Sequence, residues 1–485
     1  MEFSTTTTPT LPLLGLTEDE QALIRTLQAQ RQRNRFAMEL AEAHYLGMQV
    51  IDNLRIAVPE HLEKYLRTIV GWNALAVDPY VERLNLDVFR QADATDGDEH
   101  LMELMELNGF QALQAMAYND ALVLGRTYWM WGTNPEGADA PPILTVESPL
   151  NMSVLWDLRG TTPRAAMQEY LSPEDDRRRG ALVVPGKTVH TAVNDDGTWE
   201  VVDRDEHDFD FVPIVRMAHG ARTNNRDGRS AITPAMMSIT ASACRTLMSL
   251  EVAREIYSVP QMIILGAAED AFQNSDGTPK TAWETYIATT LGLEADEHGN
   301  LPEIKQKQVY DPSTFTKVLD WYASAFAGMV AAPPQDLGLY TQGNPASAEA
   351  GVVSESRRDR RSVSIQRQCT PDLIRVAQMG LRFENGGDLP SEYERLAADW
   401  DDVTMPTPGV TSDAVAKEIK AGAVPATSDV TLKRLGYSAI DRKRLAQDRS
   451  ADDSRNLTRA LVDGLLPAGP TVAETVAANG DAAGI

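Results

Sequence analysis

The side chains best arranged for chemistry lie in Asp203-Arg204-Asp205-Glu206-His207-Asp208-Phe209-Asp210, where carboxylates recur along a short segment. Such an oxygen-rich run is what a hard divalent cation takes as ligands, and it is the one local starting point for metal-assisted hydrolysis. It follows a hairpin, where a solvated strand end carries the same composition, and that reading is favoured. Asp93–Glu99 also gathers carboxylates, but without the spacing of a calcium loop. The seven histidines (His44, His61, His100, His190, His207, His219 and His298) are scattered, no two at the helical separation that puts two ligands on one metal. The chain has no GxxxxGK[ST], HExxH, CxxC or GxSxG. The expectation is therefore no catalytic residue, no metal and no cofactor.

Two other groups of residues are arranged for contact. Arg357, Arg358, Arg360, Arg361 and Arg367 crowd one helical stretch. The first four point around much of its circumference, so they suit an interface between subunits better than a single DNA-facing stripe; a solvated helix face with local pairs such as Glu355–Arg358 is the alternative. Lys305 and Lys307 alternate on a short β-prone segment and suit either partner docking or a plain exposed strand.

The elements that must carry these residues are most legible between positions 310 and 384. Phe315, Val318, Leu319, Tyr322, Phe326, Met329 and Val330 recur at three- and four-residue steps and predict an amphipathic helix over 312–331. Pro333-Pro334 stops it, because neither ring nitrogen can donate a hydrogen bond. The loop from Gln335 to Pro345 is uncharged except for Asp336. Ala346 to Cys369 reads as helix again, with Val352, Val353, Val363 and Ile365 nearly its only large apolar residues, so it is expected to need neighbours.

Upstream, Thr17-Glu18-Asp19-Glu20 is a capping box that starts a helix running to Leu46. Further helices are expected over 60–75, 78–84, 101–107 and 110–124. Short β-prone segments follow at 127–131, 143–146, 152–156, 167–171, 187–193 and 198–203, the last two joined by the turn Asn194-Asp195-Asp196-Gly197. A helix rich in small residues spans 233–257 and ends at Val259-Pro260. Residues 260–311 hold two expected strands, 261–265 and 304–309, around a helix at 282–291, a small module inserted between two helices. Three short helices fill 410–466.

At 485 residues the chain can bury a sizeable core, and its 43% hydrophobic and 24% charged content is that of a folded protein. The formal net charge of −25 argues against a sequence-independent DNA binder. Two cysteines, Cys244 and Cys369, both in expected helices, make a disulfide framework unlooked for. The N-terminus lacks the basic and apolar regions of a signal peptide, and the most apolar windows, 261–268 and 321–332, are too short to span a bilayer. A soluble, non-secreted protein with no membrane partner is expected.

The order of segments resembles the portal proteins of tailed bacteriophages, in the group related to the portal of phage SPP1. The likeness is carried by Val70-Gly71-Trp72-Asn73 through Val77-Asp78-Pro79-Tyr80-Val81-Glu82-Arg83-Leu84; by Tyr118-Asn119-Asp120-Ala121 to Gly125-Arg126-Thr127-Tyr128; by Gly228-Arg229-Ser230 and the helix ending at Val259-Pro260; and by Pro333-Pro334-Gln335-Asp336-Leu337-Gly338 to Ser347-Ala348-Glu349-Ala350. It covers about 300 residues, and the order and spacing of the segments are more specific than any one of them.

That resemblance implies an α+β portal-type fold: an α/β wing, a two-helix stem, a small α/β clip, a long spine helix and a helical C-terminal crown. The corresponding boundaries are a flexible tail (1–16), wing (17–230), first stem helix (231–258), clip (259–311), second stem helix (312–332), tunnel loop (333–346), spine helix and return to the wing (347–405), crown (406–466) and disordered tail (467–485). Pro371 is a departure, since it should kink or end the spine. The resemblance implies a ring, usually of twelve subunits, at one capsid vertex. Double-stranded DNA passes through it during packaging and ejection, and it docks the terminase large subunit and the head–tail adaptor, alongside the major capsid and scaffold proteins. It places the protein in the virion, and in the host cytoplasm during assembly. Tyr340, Thr341, Gln342 and Asn344 would line the constriction, Lys305 and Lys307 the clip, and Arg357, Arg358, Arg360 and Arg361 the subunit interface. Another head component, minor capsid or scaffold-associated, and a metal-dependent hydrolase built on Asp203–Asp210 remain the alternatives.

Overall fold

The computed structural model describes residues 13–51, 68–257 (apart from 135, 138–139 and 174), 262–265, 273, 277–279, 303–306, 311–338, 348–404, 408–437 and 439–465. The chain divides into two units, Met1–Val403 and Thr404–Ile485.

The first unit opens with β1 (Leu13–Leu14), paired in parallel with a later strand, and α1 (Glu18–Tyr45). The expected capping box is present: the Glu20 amide donates to Thr17 Oγ1 at 3.3 Å and the Thr17 amide to Glu20 Oε2 at 2.9 Å. Glu20 is also buried, and it accepts from Lys187 Nζ at 2.6 Å and Arg204 Nη1 at 2.7 Å, so one side chain both starts the helix and ties it to the sheet. The Arg204 hydrogen bond, with Lys187 and the Thr17 amide, outweighs burial and holds the carboxyl far below the usual range. A depressed carboxylate stabilises the fold above its unfolded pKa of about 4.3 and loses that contribution as pH falls toward the folded value. Glu20→Gln should therefore cost about 1–2 kcal/mol at pH 7, and denaturant midpoints of variant and parent should converge as the pH drops below about 4.

A 3₁₀ turn (Trp72–Ala76) leads into α2 (Asp78–Val81), β2 (Leu86–Gln91), α3 (Glu99–Leu107) and α4 (Phe110–Leu124). Strands β3 (Arg126–Gly132), β4 (Ile143–Glu147), β5 (Met152–Trp156), β6 (Pro163–Leu171), β7 (Arg178–Val184), β8 (Lys187–Val193), β9 (Trp199–Glu206) and β10 (Ile214–Ala218) follow. Two sheets result, in the orders β1-β9-β8-β7-β6-β5 and β10-β3-β4. Then come α5 (Pro234–Tyr257), the antiparallel pair β11 (Met262–Leu265) and β12 (Glu303–Gln306), α6 (Ser313–Val330), α7 (Ala348–Glu384) and β13 (Leu396–Trp400), which pairs with β2.

The largest core lies where α4 and α7 cover β3 and β10, and Trp129 and Trp131 are its centre. The Trp131 indole donates to the Val376 carbonyl of α7 at 2.9 Å. Gly380 makes room for that ring, since a Cβ there would sit 2.4 Å from it. The second unit holds α8 (Pro408–Lys420), α9 (Asp429–Arg434) and α10 (Ala439–Leu465). Ser428 caps α9, and Arg434 forms an ion pair with Glu418.

Several expectations change. Residues 13–16 belong to the fold: Leu13 and Leu14 pair with Trp199 and Glu200, and Leu16 is buried. The helix expected to end at Cys369 runs on to Glu384, and this extra half anchors it, because Leu373, Val376, Ala377 and Leu381 are fully buried. Pro371 lies within the helix without ending it. Both Pro371 and Arg367, whose carbonyl loses its intrahelical partner, are on the exposed side of the helix. The helix expected over 60–75 falls partly on 60–67, outside the described residues, and its end is the 3₁₀ turn. The expected helix at 282–291 also lies outside them, as do residues 1–12 and 466–485. The last C-terminal helix is long, 27 residues.

Candidate functional site

Two of the segments singled out in the sequence meet. Gly125 ends α4 with φ +93°, and Gly228 takes φ +78° in the loop leading to α5. The His219 amide donates to the Gly125 carbonyl at 2.9 Å, the Arg229 amide to the His219 carbonyl at 2.8 Å, and the Ala231 amide to the Leu122 carbonyl at 2.7 Å. A Cβ on Gly228 would stand 2.3 Å from the Gly125 carbonyl oxygen, and one on Gly125 would stand 2.9 Å from Arg229 backbone. Only a chain without a side chain at both places passes so closely. The knot fixes where α5 leaves the sheet region.

Helices α5 and α6 pack side by side. On α5, Ala243, Cys244, Met248 and Val252 are buried; on α6, Ala323, Phe326, Ala327 and Val330. The base of the pair is tied back by polar contacts: Thr240 donates to Asn73 Oδ1 at 3.3 Å, Asn73 lies 3.3 Å from His44 Nδ1, and Trp72 packs against Phe326. Burial lowers the His44 pKa and so favours the neutral ring there. The outer half of α6 is open, with Val318 and Trp321 exposed.

After α6 the chain turns through Ala331 in the left-handed region and enters a 3₁₀ turn at Pro334–Leu337. Here α7 returns to fasten it. Arg358, 5% exposed, forms an ion pair with Asp336. Arg361 Nη1 reaches Tyr80 Oη at 3.3 Å and the Met329 carbonyl at 3.2 Å. Tyr80, buried on α2, donates to the Val330 carbonyl. Arg83 lies 3.7 Å from Asp359 and 3.8 Å from Glu355. Burial is the main effect on Asp359, and it raises that carboxyl's pKa despite Arg83. The start of the polar loop and the end of α6 before it are thus held to α7 and to α2.

This divides the expected interface arginines. Arg358 and Arg361 turn inward to internal contacts, while Arg357 and Arg360 are exposed, with Arg360 reaching only Ser356 among the described residues. The signal for Arg358 is present in the sequence. Counting back by threes and fours from Leu381 through Ala377, Leu373, Cys369, Ile365 and Ser362 lands on it, and all of these are buried. Tyr80 and Asp336 have no comparable signal, since their partners are some 20 to 250 residues away.

Tyr340, Thr341, Gln342, Asn344 and Lys307 lie outside the described residues; Lys305 is in β12, opposite Ile263. The acidic run forms the end of β9 and the loop after it. Asp205 lies 2.9 Å from His190, and Asp210 3.6 Å from Arg382. Among the described residues no three His, Cys, Asp or Glu side chains converge as a metal site would need, and no helix is long and apolar enough to cross a membrane.

The profile of the family described as "Phage portal protein, SPP1 Gp6-like" matches residues 24–432. The chain belongs to this family of phage portal proteins. It is 28% identical over 438 residues to the portal protein of Mycobacterium phage D29, covering 89% of this chain and 88% of that one. It is 27% identical over 471 residues to the portal protein of Mycobacterium phage L5, covering 96% and 95%. Among solved structures it is similar to a chain in the virion of a native gene transfer agent particle, at 16% identity and a TM-score of 0.40, over 83% of this chain and 99% of that one. A chain from the neck of such a particle, computed with C12 symmetry, gives 16% identity and a TM-score of 0.37, over 78% and 94%. The protein is thus a portal protein of a phage head, and the glycine knot and the loop root both fall inside the matched region of the portal family.

Proposed function

We propose that copies of this chain form a closed ring, of about twelve as the portal resemblance implies, at one vertex of the capsid, and that double-stranded DNA passes through it during packaging and ejection. The observation that carries the proposal is the fastened root of an uncharged loop. Arg358 holds Asp336 near the start of the loop, and Arg361 and Tyr80 hold the end of α6 just before it, so a tunnel loop over 333–346 starts from a fastened base. In this reading residues 17–230 are the wing, α5 and α6 the stem, β11 and β12 part of the clip, α7 the spine and residues 406–466 the crown.

Charge supports a conduit. A basic lumen would release counterions, bind the duplex and stall it, whereas a chain of net charge −25 repels the passing backbone. Contact is left to the neutral side chains Tyr340, Thr341, Gln342 and Asn344. Lysine at Gln342 and Asn344 together adds a positive ring that holds phosphates. Packaging rate in a defined assay should then fall several-fold and recover partly as salt is raised; unchanged packaging at low salt would remove these residues from the channel wall. Lys305 and Lys307 of the clip would face the terminase large subunit or the head–tail adaptor, and the wing and crown the capsid and scaffold proteins. No catalysis by the chain is required, since a motor docked on the ring supplies the work. The site of action is the virion, after assembly in the host cytoplasm.

The test is the mass of the purified protein together with class-averaged electron images. A species near twelve times 53.2 kDa with a central hole supports the ring. A stable compact dimer under every condition, with no ring, would overturn it.

A further inference from the structure

The arginines of α7 that do not turn inward share one side of the helix. At 100° per residue Arg357, Arg360, Arg367, Arg375 and Arg382 fall within an arc of about 80° and extend over about 37 Å. Between Arg357 and Arg382 the only acidic residues of the helix, Asp359 and Asp372, lie outside that arc. The first four arginines are exposed and Arg382 is partly so. Among the described residues Arg357 and Arg367 have no ion-pair partner, Arg375 has Asp372 at 2.9 Å, and Arg382 has Asp210 at 3.6 Å and lies over the Phe211 ring at 4.0 Å. The stripe runs into a cleft of about 610 Å³, where Trp156, Arg216, Met379 and Leu389 join Arg375 and Arg382. Such a row is unexpected on a chain of net charge −25, and it leaves the rest of the surface more acidic still.

We propose that this stripe is a docking surface for a second copy of the chain, taking an acidic face of the neighbouring subunit; the proposal rests on the ring reading above. Copies this acidic repel one another unless a basic surface on one meets carboxylates on the next, and arginine with its planar fork is the cation suited to such an interface. Nucleic acid is the poorer occupant. Asp372 and Asp227 stand among the arginines, with Arg216 bonded to Asp227 at 2.8 Å, and their carboxylates oppose phosphates. The apolar wall of the cleft (Trp156, Met379, Leu389) suits a protein side chain better than a duplex backbone.

The test compares full-length parent, Arg367→Glu/Arg375→Glu and Arg367→Lys/Arg375→Lys by mass distribution across protein and salt concentrations, with thermal unfolding of each. The glutamate pair should weaken assembly on the order of 100-fold while the subunit's unfolding midpoint stays within a few degrees, because both side chains are exposed. The lysine pair should assemble nearly as the parent does. A glutamate pair that forms rings at parental concentration and salt overturns the docking surface and leaves the ring reading intact. A parent that never assembles overturns both. Binding of a 30-base-pair duplex by the parent, lost in the glutamate pair while rings persist, would assign the stripe to nucleic acid and overturn the proposal.

Discussion

Replacing Asp336 by alanine is expected to cost about 3 kcal/mol, and to cost more than replacing its partner Arg358 by methionine. The asymmetry follows from burial. The Arg358 side chain is 6% exposed and the Asp336 side chain 31%. Removing the carboxylate strands a guanidinium in the interior, where solvation cannot substitute for the lost partner. Removing the guanidinium leaves a carboxylate that water can reach, and methionine keeps most of the volume, so about 1 kcal/mol is expected. In a double-mutant cycle the Asp336→Ala change should therefore cost little once Arg358 is already methionine. Equilibrium denaturation measures the energies, and hydrogen exchange over residues 334–338 reports whether the loop root opens. Equal costs for the two single variants would mean that the pair is not the clamp described.

Gly228→Ala should be among the most damaging single substitutions in the chain, at about 4 kcal/mol or more. Two effects combine: a left-handed backbone conformation that an L side chain disfavours by about 1 kcal/mol, and a Cβ placed 2.3 Å from the Gly125 carbonyl oxygen and 2.7 Å from that of His219. Neither obstacle is a side chain that can swing aside, so the backbone itself must move. Gly109→Ala is the control. Gly109 has the same sign of φ, +64°, and a methyl group there would meet nothing within 4 Å, so only the conformational cost of about 1 kcal/mol remains. Comparable stability losses for the two variants, read from denaturant midpoints, would show that close approach at Gly228 does not matter.

Local chemistry is legible in the sequence and distant pairing is not. The Thr17–Glu20 capping box, the Asn194–Gly197 turn and the stretches 110–124 and 312–331 each carry their instruction within a few residues, and each forms as expected. Strand β7 escapes a reading of the sequence because it begins Arg178-Arg179-Gly180, a charged, turn-like opening, although Ala181, Leu182 and Val183 are buried between β6 and β8. Strand β2 draws its partner β13 from some 300 residues away, and no local pattern announces that. The arginines of α7 show the same division. Their number is plain, but their sides depend on which face Leu373 and Leu381 bury, and a helix ended at Cys369 lacks that reference.

The burial of both cysteines has a practical consequence for watching the loop at work. Cys244 and Cys369 are free and almost fully enclosed, and burial raises the pKa of each thiol above its usual value, for Cys369 with further help from Asp372. Thiol reagents act through the thiolate, so both should remain unlabelled in the folded chain near neutral pH. In the proposed ring, Gln342→Cys would then supply a lumen-facing thiol without altering the native pair. Spin or fluorescent probes placed there would, in the proposed ring, report separations across the lumen, before and during passage of a duplex, in an otherwise unmodified particle.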